Sequence, residues 1–447
     1  MIVNRRKTAV VLGLLLGFAP LVFAQEETDR EVEAQQAPNF LVMIADDLGW
    51  NDVGFHSGAS TTPNLDKLAT QGTELRRFYT YPVCSPARAA FLSGLMPRRF
   101  GLTHVVGKEQ PGLPTDIVNL PRVLASNGYH TSLIGKWHLG KRGQPTNSGF
   151  DHFYGFMGAE IDYFKHTSVK RAQVDWQRNG RTIEEEGYST DLLVREAVKL
   201  LRETEPSQPF YMQIAFNAPH IPLAAPAELV EKHAGGGGLY AAVIEAMDQA
   251  IGNLLAELDA LKLRENTLVV FFSDNGADVR HGDNGPFRDG KTTLYEGGIR
   301  TPCVLRWPNH IPEGVISEQP ISVHDLFPTL AAAAGLTIPA DANLDGTNQW
   351  PAIQSGQTIK RSPFLIATGD LAMIDGNWKL IEESNGVTSL YHLRDDPSES
   401  NDLKAIETGR FHSMKSELDQ LKQGLPTVVV KPKGARKEKG KKGKGKK

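Results

Sequence analysis

The stretch "NFLVMIADDLG", residues 39–49, is an apolar run of strand length that leads directly into the aspartates Asp46 and Asp47. An almost continuous apolar run of this length is typical of a strand that is buried on both faces of a parallel sheet. Runs of the same kind are "HTSLIG" (130–135), "PFYMQIAF" (209–216) and "TLVVFFS" (267–273). Because helical patterns separate these runs, the sequence predicts an α/β fold with a large, mostly parallel or mixed sheet flanked by helices.

The pattern of apolar residues changes near residue 335. Short strand-like runs follow, then the turn-rich segment "LYHLRDDPSESNDL" and a helical pattern near residues 405–422. We therefore predict a main α/β domain over residues 25–335 and a smaller α+β subdomain over residues 336–425. The chain has only two cysteines, Cys84 and Cys303, so we expect its core rather than disulfide bonds to hold the fold together.

Both ends of the chain have the composition of segments that lie outside a folded domain. Residues 1–24 combine three basic residues with a following apolar run, which is typical of a signal peptide. We predict cleavage after Ala24, a secreted or periplasmic protein, and no transmembrane segment after signal removal. The alternative is an uncleaved anchor, but the apolar run is shorter than the roughly 20 residues that a span requires. The Lys-rich tail, residues 426–447, is predicted to be disordered, either as a solvated end or as a tether to anionic glycan or the cell surface.

The formal net charge of −3 is unevenly distributed along the chain. Removing the ten cations and one anion of residues 431–447, and the three cations of the first 24 residues, leaves −15 for residues 25–430. A protein that binds nucleic acid needs a basic face for the phosphate backbone. The composition therefore argues against a nucleic-acid partner.

Each of the four predicted strands leads into side chains that can ionise or bind a metal. In chain order these are Asp46 and Asp47, then Lys136 and His138, then His220, and then Asp274 and Asn275. Ligands of open α/β sheets bind at the carboxyl ends of the strands, so we expect a shared site there. The carboxylate and amide oxygens suit calcium or magnesium better than zinc. The alternative interpretation is that the aspartates cap the turns that follow them.

Cationic and titratable groups accompany these oxygen ligands. They are Arg88, Lys136, His138, His220 and Lys291. A divalent cation surrounded by such groups favours an anionic substrate with a tetrahedral, oxygen-rich centre, as in a phosphate or sulfate ester.

The segment "YPVCSPARAAFLSG", residues 81–94, places Cys84 at or just before the N-terminus of a predicted helix, because Pro86 fits the first helical position. The helix dipole and the free amides are expected to stabilise a thiolate there, or any anion that replaces it. A thiolate is a poor partner for a hard cation among carboxylates, which disfavours a cysteine hydrolase.

Five segments, "MIADDLG", "CSPARAAFLSG", "GKWHLG", "SDNG" and "GKTTLYEGGIRTP", resemble the motifs of the sulfatase family in the family's order. The resemblance covers most of residues 38–335, and "LYHLRDDPSESNDL" resembles the family's C-terminal subdomain. It implies an alkaline phosphatase-like fold and a Cys84 oxidised to formylglycine (3-oxoalanine) by a formylglycine-generating maturation enzyme. It also implies one calcium ion and a set of catalytic or sulfate-binding residues. The implied metal ligands are Asp46, Asp47, Asp274, Asn275 and the modified residue 84, and the implied catalytic or sulfate-binding residues are Arg88, Lys136, His138, His220 and Lys291.

The chemistry of an aldehyde explains why it would replace the thiol. Its hydrate carries two hydroxyls on one carbon, so one can attack sulfur while the other lets the carbon return to the aldehyde and release sulfate. The leaving alcohol needs a proton from an acid such as His220 or Lys291, and His138 is the expected acceptor of the second hydroxyl's proton. A serine hydroxyl could form the bond to sulfur, but serine lacks the second hydroxyl that would release the sulfate.

Several functions remain open at this point. A phosphodiesterase or phosphonate monoester hydrolase of the same superfamily is the strongest alternative enzyme, and a noncatalytic protein that binds anionic glycan is the alternative from another class. A two-metal phosphatase is disfavoured, because Asp325 in "SVHDLFPTL" is more simply a helix cap than a second metal ligand beside His324. We predict a sulfated polysaccharide or oligosaccharide as substrate. The residues predicted to contact the sugar are His104, Asp162, His281 and Arg288.

Overall fold

A computed structural model describes Met1 and residues 36–426, apart from residues 57, 59 and 143. The first strand of this structure begins at Asn39. Apart from Met1 and Pro426, the predicted signal peptide (1–24) and the predicted Lys-rich tail (426–447) therefore lie outside the described residues. Among the described residues, no helix is both long enough and apolar enough to cross a membrane.

The strands of the described part of the chain are β1 (Asn39–Ala45), β2 (Thr73–Leu75), β3 (Phe78–Tyr79), β4 (His130–Lys136), β5 (His152–Phe156), β6 (Gln177–Arg178), β7 (Arg181–Thr182), β8 (Phe210–Ala215), β9 (Thr267–Ser273), β10 (Cys303–Arg306), β11 (Val315–Ser317), β12 (Ile321–Ser322), β13 (Phe364–Ala367), β14 (Leu371–Asp375), β15 (Trp378–Glu382) and β16 (Thr388–His392). The α-helices are α1 (Pro63–Thr70), α2 (Cys84–Ser93), α3 (Leu120–Ser126), α4 (Ser189–Glu203), α5 (Ala227–Lys232), α6 (Gly238–Ala260), α7 (Glu296–Ile299), α8 (Leu326–Ala333), α9 (Trp350–Ser355) and α10 (Thr408–Leu421).

Ten strands form the main sheet in the order β11-β2-β10-β9-β1-β8-β4-β5-β6-β7. β1 pairs in parallel with both β8 and β9, and β4 continues the parallel run beyond β8. β10 is antiparallel to β9, so the sheet is mixed. The predicted fold class is confirmed. Of the four predicted strands, 39–45 and 267–273 have the observed bounds, whereas β4 extends one residue further and β8 is one residue shorter at each end.

The central strand β1 is buried on both faces, as its unbroken apolar sequence predicts. Phe40, Val42 and Ile44 pack into one hydrophobic core, and Leu41 and Met43 pack into another on the opposite face. This alternation follows from the two-residue period of a strand. The helices that cover the two faces exclude water from the sheet and leave its carboxyl edge as the place where polar side chains can gather.

The segment after residue 360 forms a separate four-stranded antiparallel sheet in the order β13-β14-β15-β16. Met373 and Leu380 of this sheet pack against Met414 and Leu418 of α10. The observed helix lies within the predicted span of 405–422. Among the described residues, both cysteines are free and buried, and Cys303 lies in β10 as a small apolar side chain of the core.

A buried ion cluster joins the main sheet to the four-stranded sheet. The Lys379 Nζ atom of β15 lies 2.9 Å from a carboxylate oxygen of Glu296 in α7 and 2.9 Å from one of Glu399. Glu399 also accepts a hydrogen bond from the Glu296 amide at 2.6 Å. Burial, and then the neighbouring Glu296 carboxylate, raise the pKa of Glu399 to about 7, because one ammonium has to serve two carboxylates.

We expect Glu399→Gln to gain stability relative to the wild-type protein as the pH rises from about 5.5 to 8. The pKa of Glu399 in the folded protein lies above the unfolded value of 4.5. Protonated Glu399 therefore stabilises the fold fully below pH 4.5, and this stabilisation is lost as the pH rises through about 7. The change amounts to about 2–3 kcal/mol over this range. Melting temperatures of both proteins across the range measure it, with the exposed Glu203→Gln as control. A difference that stays constant with pH would show that Glu399 is ionised throughout.

Candidate active site

Four acidic or amide side chains leave the sheet at the carboxyl ends of β1 and β9. The parallel register pairs Ala45 with Ser273, and the Asp274 amide donates to the Ala45 carbonyl at 3.1 Å, so the residues that follow each strand are neighbours. Asp47 has a φ of 68°, a left-handed conformation that Asp and Asn adopt more readily than other non-glycine residues. The Asp47 amide in turn lies 3.3 Å from Asp274 Oδ1.

Helix α2 brings Cys84 to these carboxylates. Cys84 is the first residue of the helix and Pro86 the third, so the helix begins two residues earlier than the prediction that placed Pro86 first. The Cys84 thiol donates to Asp46 Oδ1 at 3.4 Å and lies 3.9 Å from Asp47 Oδ1. The ligand atoms of Asp46, Asp47, Cys84 and His220 all lie within 4.8 Å of one another.

Asn275 completes the oxygen-rich side of the site. Its Nδ2 donates to Asp47 Oδ1 at 2.7 Å, whereas its Oδ1 is buried and accepts no hydrogen bond from the described residues. A buried amide oxygen without a donor is costly, so it is suited to receive a cation. The carboxylates of Asp46, Asp47 and Asp274 provide the other hard ligands, and this set fits calcium.

The predicted cations surround the carboxylates at contact distance. Lys136 Nζ lies 2.5 Å from Asp46 Oδ2, and Lys291 Nζ lies 2.5 Å from Asp47 Oδ2. The Arg88 guanidinium lies 2.7 Å from Asp274 Oδ2 and 3.7 Å from Asp46 Oδ1. His220 Nε2 lies 3.6 Å from Asp47 Oδ2. The site thus alternates negative and positive charge among side chains that are mostly buried, with Lys291, His220 and Asp47 partly exposed.

Burial and charge set the protonation of the central groups in opposite directions. Burial opposes the ionisation of Asp46, but Lys136, His220, Arg88 and Lys291 outweigh it and hold the pKa of this carboxyl well below its usual range. Burial raises the pKa of the Cys84 thiol, and Lys136 and Lys291 only partly offset it. Desolvation therefore outweighs the stabilisation of a thiolate that the sequence predicted at this helix N-terminus.

Comparison with known proteins identifies this constellation. The sequence profile of the family described as "Sulfatase" matches residues 38–336, which include all ten predicted metal-binding and catalytic residues. The chain belongs to the sulfatase family. It is a sulfuric ester hydrolase, and its fold is that of the alkaline phosphatase superfamily, as the sequence motifs predicted.

Relatives across the sulfatase family match most of this chain. It is 36% identical over 368 residues to the N-acetylgalactosamine-6-sulfatase of Homo sapiens, covering 76% of this chain and 70% of the relative. It is 32% identical over 413 residues to the arylsulfatase A of Homo sapiens, covering 84% and 74%. The solved structure of Ps i-CgsB in complex with k-i-k-neocarrahexaose is 32% identical, has a TM-score of 0.82, and covers 88% of this chain and 94% of its own.

His138 is the least satisfied polar side chain of this sulfatase's site. It has a φ of 52° and is buried, and neither ring nitrogen has a hydrogen-bond partner among the described residues. Ser85 Oγ donates to the His138 carbonyl at 2.8 Å and so joins its loop to α2. Burial, with Lys136 and Arg88, lowers the pKa of His138 well below its usual value. A neutral imidazole with a free nitrogen is able to accept a proton from a group in the site.

The four residues predicted to contact the sugar lie outside the group that surrounds Cys84 Sγ. His104 and His281 are exposed loop residues. Asp162 Oδ1 accepts from the Phe164 and Lys165 amides at 2.9 and 2.7 Å, so this oxygen holds its own loop. Arg288 stacks on the Tyr295 ring at 3.8 Å and donates to the Glu399 carbonyl at 3.1 Å.

Two supporting contacts were not found by sequence reasoning. Asp52 Oδ2 accepts from the Tyr240 hydroxyl at 2.7 Å and from the Gly49 amide at 2.9 Å, which fixes the loop that carries Asp47. No local pattern in the sequence links Tyr240 to Asp52, 188 residues away. Asp325 takes part in capping, but at the 3-10 turn that precedes α8: its carboxylate accepts from the Ser322 amide at 2.7 Å in a capping box, and it makes no side-chain cap hydrogen bond to α8.

Proposed function

We propose that this sulfatase removes sulfate from a sulfated carbohydrate after export, using a formylglycine made from Cys84 and one calcium ion. The proposal rests on one observation: Cys84 Sγ lies beside the carboxylates of Asp46 and Asp47, which are themselves contacted by two lysines and an arginine. The signal-like sequence of residues 1–24 supports export.

The proposed calcium ligands are Asp46, Asp47, Asp274, Asn275 and the modified side chain of residue 84. Three carboxylates in one buried cluster repel one another unless cations neutralise them, and the uncompensated Asn275 Oδ1 offers a further neutral ligand. When bound, calcium would supply a fixed positive charge and Lewis acidity next to residue 84.

The side chains around residue 84 are suited to the steps of ester hydrolysis. The unmodified thiol is a poor nucleophile, because burial raises its pKa and keeps it protonated. A hydrated aldehyde at the same position would offer two hydroxyls, and the unpartnered His138 could accept the proton of one of them. Arg88, Lys136 and Lys291 would neutralise the sulfuryl oxygens.

His220 is suited to donate a proton to the leaving alcohol. Its Nδ1 lies 2.5 Å from the Ile221 carbonyl and therefore carries hydrogen, which leaves Nε2 facing the site 3.6 Å from Asp47 Oδ2. When the ring carries both protons, Nε2 can release one to the departing oxygen. Lys291 is the second candidate for this role.

The proposed substrate class rests on the relatives. One is named for the 6-sulfate of N-acetylgalactosamine, and another was solved with a neocarrahexaose. The first name gives a sulfated sugar and the second an oligosaccharide, and the cationic surroundings of residue 84 suit the charge of a sulfate ester.

The test uses the full chain produced together with a formylglycine-generating enzyme. We expect it to hydrolyse a 4-nitrophenyl sulfate faster than the matched phosphate, to lose activity in EDTA, and to regain it with calcium. A preference for bis(4-nitrophenyl) phosphate or for 4-nitrophenyl phenylphosphonate would assign a phosphodiesterase or a phosphonate monoester hydrolase. Absence of hydrolysis by protein that carries the aldehyde would favour a noncatalytic glycan-binding protein. Sulfate release from a panel of sulfated glycans, with EDTA as control, then identifies the substrate.

A further inference from the structure

A second cavity lies between the main sheet and the four-stranded sheet, outside the group that surrounds Cys84. Its volume is about 950 Å³, which is in the range of ligand pockets in proteins. Trp50 and Phe287 form one wall, and Gly376 and Asn377, between β14 and β15, form part of another. The cavity therefore depends on both sheets.

Topology places this cavity on the same edge of the main sheet as the catalytic residues. β2 is antiparallel to β10, which is antiparallel to β9, so β2 runs parallel to β1 and ends at the same edge. Arg76 and Arg77 follow β2 directly, as Asp46 follows β1. Three strand spacings separate β1 from β2 in the sheet, or about 14 Å. A ligand that reaches both places must be an extended chain.

The cavity carries an excess of positive charge. Its six basic lining residues are Arg76, Arg77, Arg300, Lys360, Arg361 and Arg394, and its acidic ones are Glu318 and Asp375. Three of the basic residues, Arg76, Arg300 and Arg361, form ion pairs with carboxylates that do not line the cavity. Asp375 is paired with Arg410. Among the described residues, neither Lys360 nor Arg394 has a carboxylate within 4.0 Å, and Arg77 donates to the Asn377 Oδ1 at 2.9 Å and to the Gly376 carbonyl. Among the described lining residues, three cations (Arg77, Lys360 and Arg394) thus lack an ion pair, against one such anion, Glu318.

The wall of the cavity is fixed before any ligand arrives. The Arg300 guanidinium lies 4.9 Å from the centre of the Trp50 ring and 4.7 Å from that of Phe287. Arg77 is 7% exposed and held to the turn after β14, so it does not have to be ordered on binding. Arg77 therefore binds an anion at a smaller entropic cost than a mobile side chain would, and the exposed Lys360 and Arg394 add positive charge beside it.

We propose that this cavity binds a distal part of an anionic, sulfated carbohydrate chain whose reacting sulfate lies at residue 84. The proposal rests on the proposed function and adds a second binding site for the carbohydrate chain, away from the reacting sulfate. The positive excess stands out because residues 25–430 carry a net charge of −15. Arg77, Lys360 and Arg394 provide the charges that contact sulfate groups, and guanidinium forks match their oxygens.

The test compares Lys360→Gln/Arg394→Gln with the matched Lys67→Gln/Lys262→Gln, which removes two exposed cations elsewhere and leaves the tail intact. Affinity for fluorescent dextran sulfate is measured by anisotropy at several salt concentrations, with neutral dextran as the reference probe. We expect the cavity variant to bind dextran sulfate about tenfold more weakly than the wild-type protein. We also expect its log–log salt slope to be smaller by about two, because two cation contacts are lost.

The control variant is expected to bind like the wild-type protein. Equal weakening in both variants, or none in the cavity variant, would overturn the proposal, and so would equal binding of neutral dextran. Melting temperatures verify folding. Hydrolysis of 4-nitrophenyl sulfate by the wild-type protein is measured separately, so a failure of the proposed function is distinguished from a failure of chain binding.

Discussion

Replacing Cys84 by serine is expected to stop turnover after a single sulfate transfer, lowering the steady-state rate by at least about 10⁴-fold. The serine hydroxyl can bond to sulfur in the same place, since Cys84 Sγ lies 3.4 Å from Asp46 Oδ1 and inside the ring of cations. The carbon at position 84 then lacks the second hydroxyl that would expel sulfate. Cys84→Ala removes both hydroxyls and should give neither transfer nor turnover.

Intact mass after incubation with a 4-nitrophenyl sulfate distinguishes these outcomes. The serine variant should gain the mass of one sulfuryl group, and the alanine variant should gain none. Cys303→Ala is the matched control, because Cys303 is also a free, buried thiol but lies in β10. It should keep its activity. Undiminished turnover by Cys84→Ser would show that residue 84 does not need the second hydroxyl.

Replacing Asp47 by asparagine is expected to lower kcat/KM by about 10³-fold at low calcium, since an ion of this kind supplies several kcal/mol of transition-state stabilisation. Asparagine tolerates the left-handed φ of 68° at this position, so the loop keeps its shape. The change removes a charged ligand and leaves Lys291, now 2.5 Å from a carboxylate oxygen, without its partner. Metal affinity should therefore fall.

Titrating the activity of Asp47→Asn with calcium chloride measures the loss. We expect the half-saturating calcium concentration to rise and part of the activity to return at high calcium. Asp259→Asn is the control, because the Asp259 carboxylate lies near the end of α6 and pairs with Arg264 at 3.1 Å rather than with the cluster. It should keep the calcium dependence of the wild-type protein. An unchanged calcium dependence of Asp47→Asn would remove Asp47 from the metal site.

The sequence predicted the centre of the fold and the residues that gather there, for one physical reason. β1 and β9 are buried on both faces, so their sequences are almost purely apolar and their ends are abrupt. Parallel pairing then brings Asp46 and Asp274 together, whatever the length of chain between them. The short strands β2 and β11, with three residues each, carry no comparable periodicity and were not predicted.

Features that depend on contacts between distant segments could not be predicted. Lys379 was part of a strand-like run, and nothing in its neighbourhood shows that it lies between Glu296 and Glu399. The raised pKa of the Cys84 thiol also depends on distant segments. The sequence predicted the position of Cys84 at a helix N-terminus but not its complete burial beside Asp46 and Asp274. The cavity beside Arg77 requires the four-stranded sheet to close it.

We propose that residue 84, in oxidised form, shares one calcium ion with side chains that directly follow β1 and β9. A crystal structure of the protein matured by a formylglycine-generating enzyme and grown with calcium tests it most directly. One ion is expected at about 2.3–2.6 Å from oxygens of Asp46, Asp47, Asp274 and Asn275 and from a hydrated aldehyde at position 84. An unmodified thiol at that position in fully active crystals, or an ion bound away from it, would refute this arrangement.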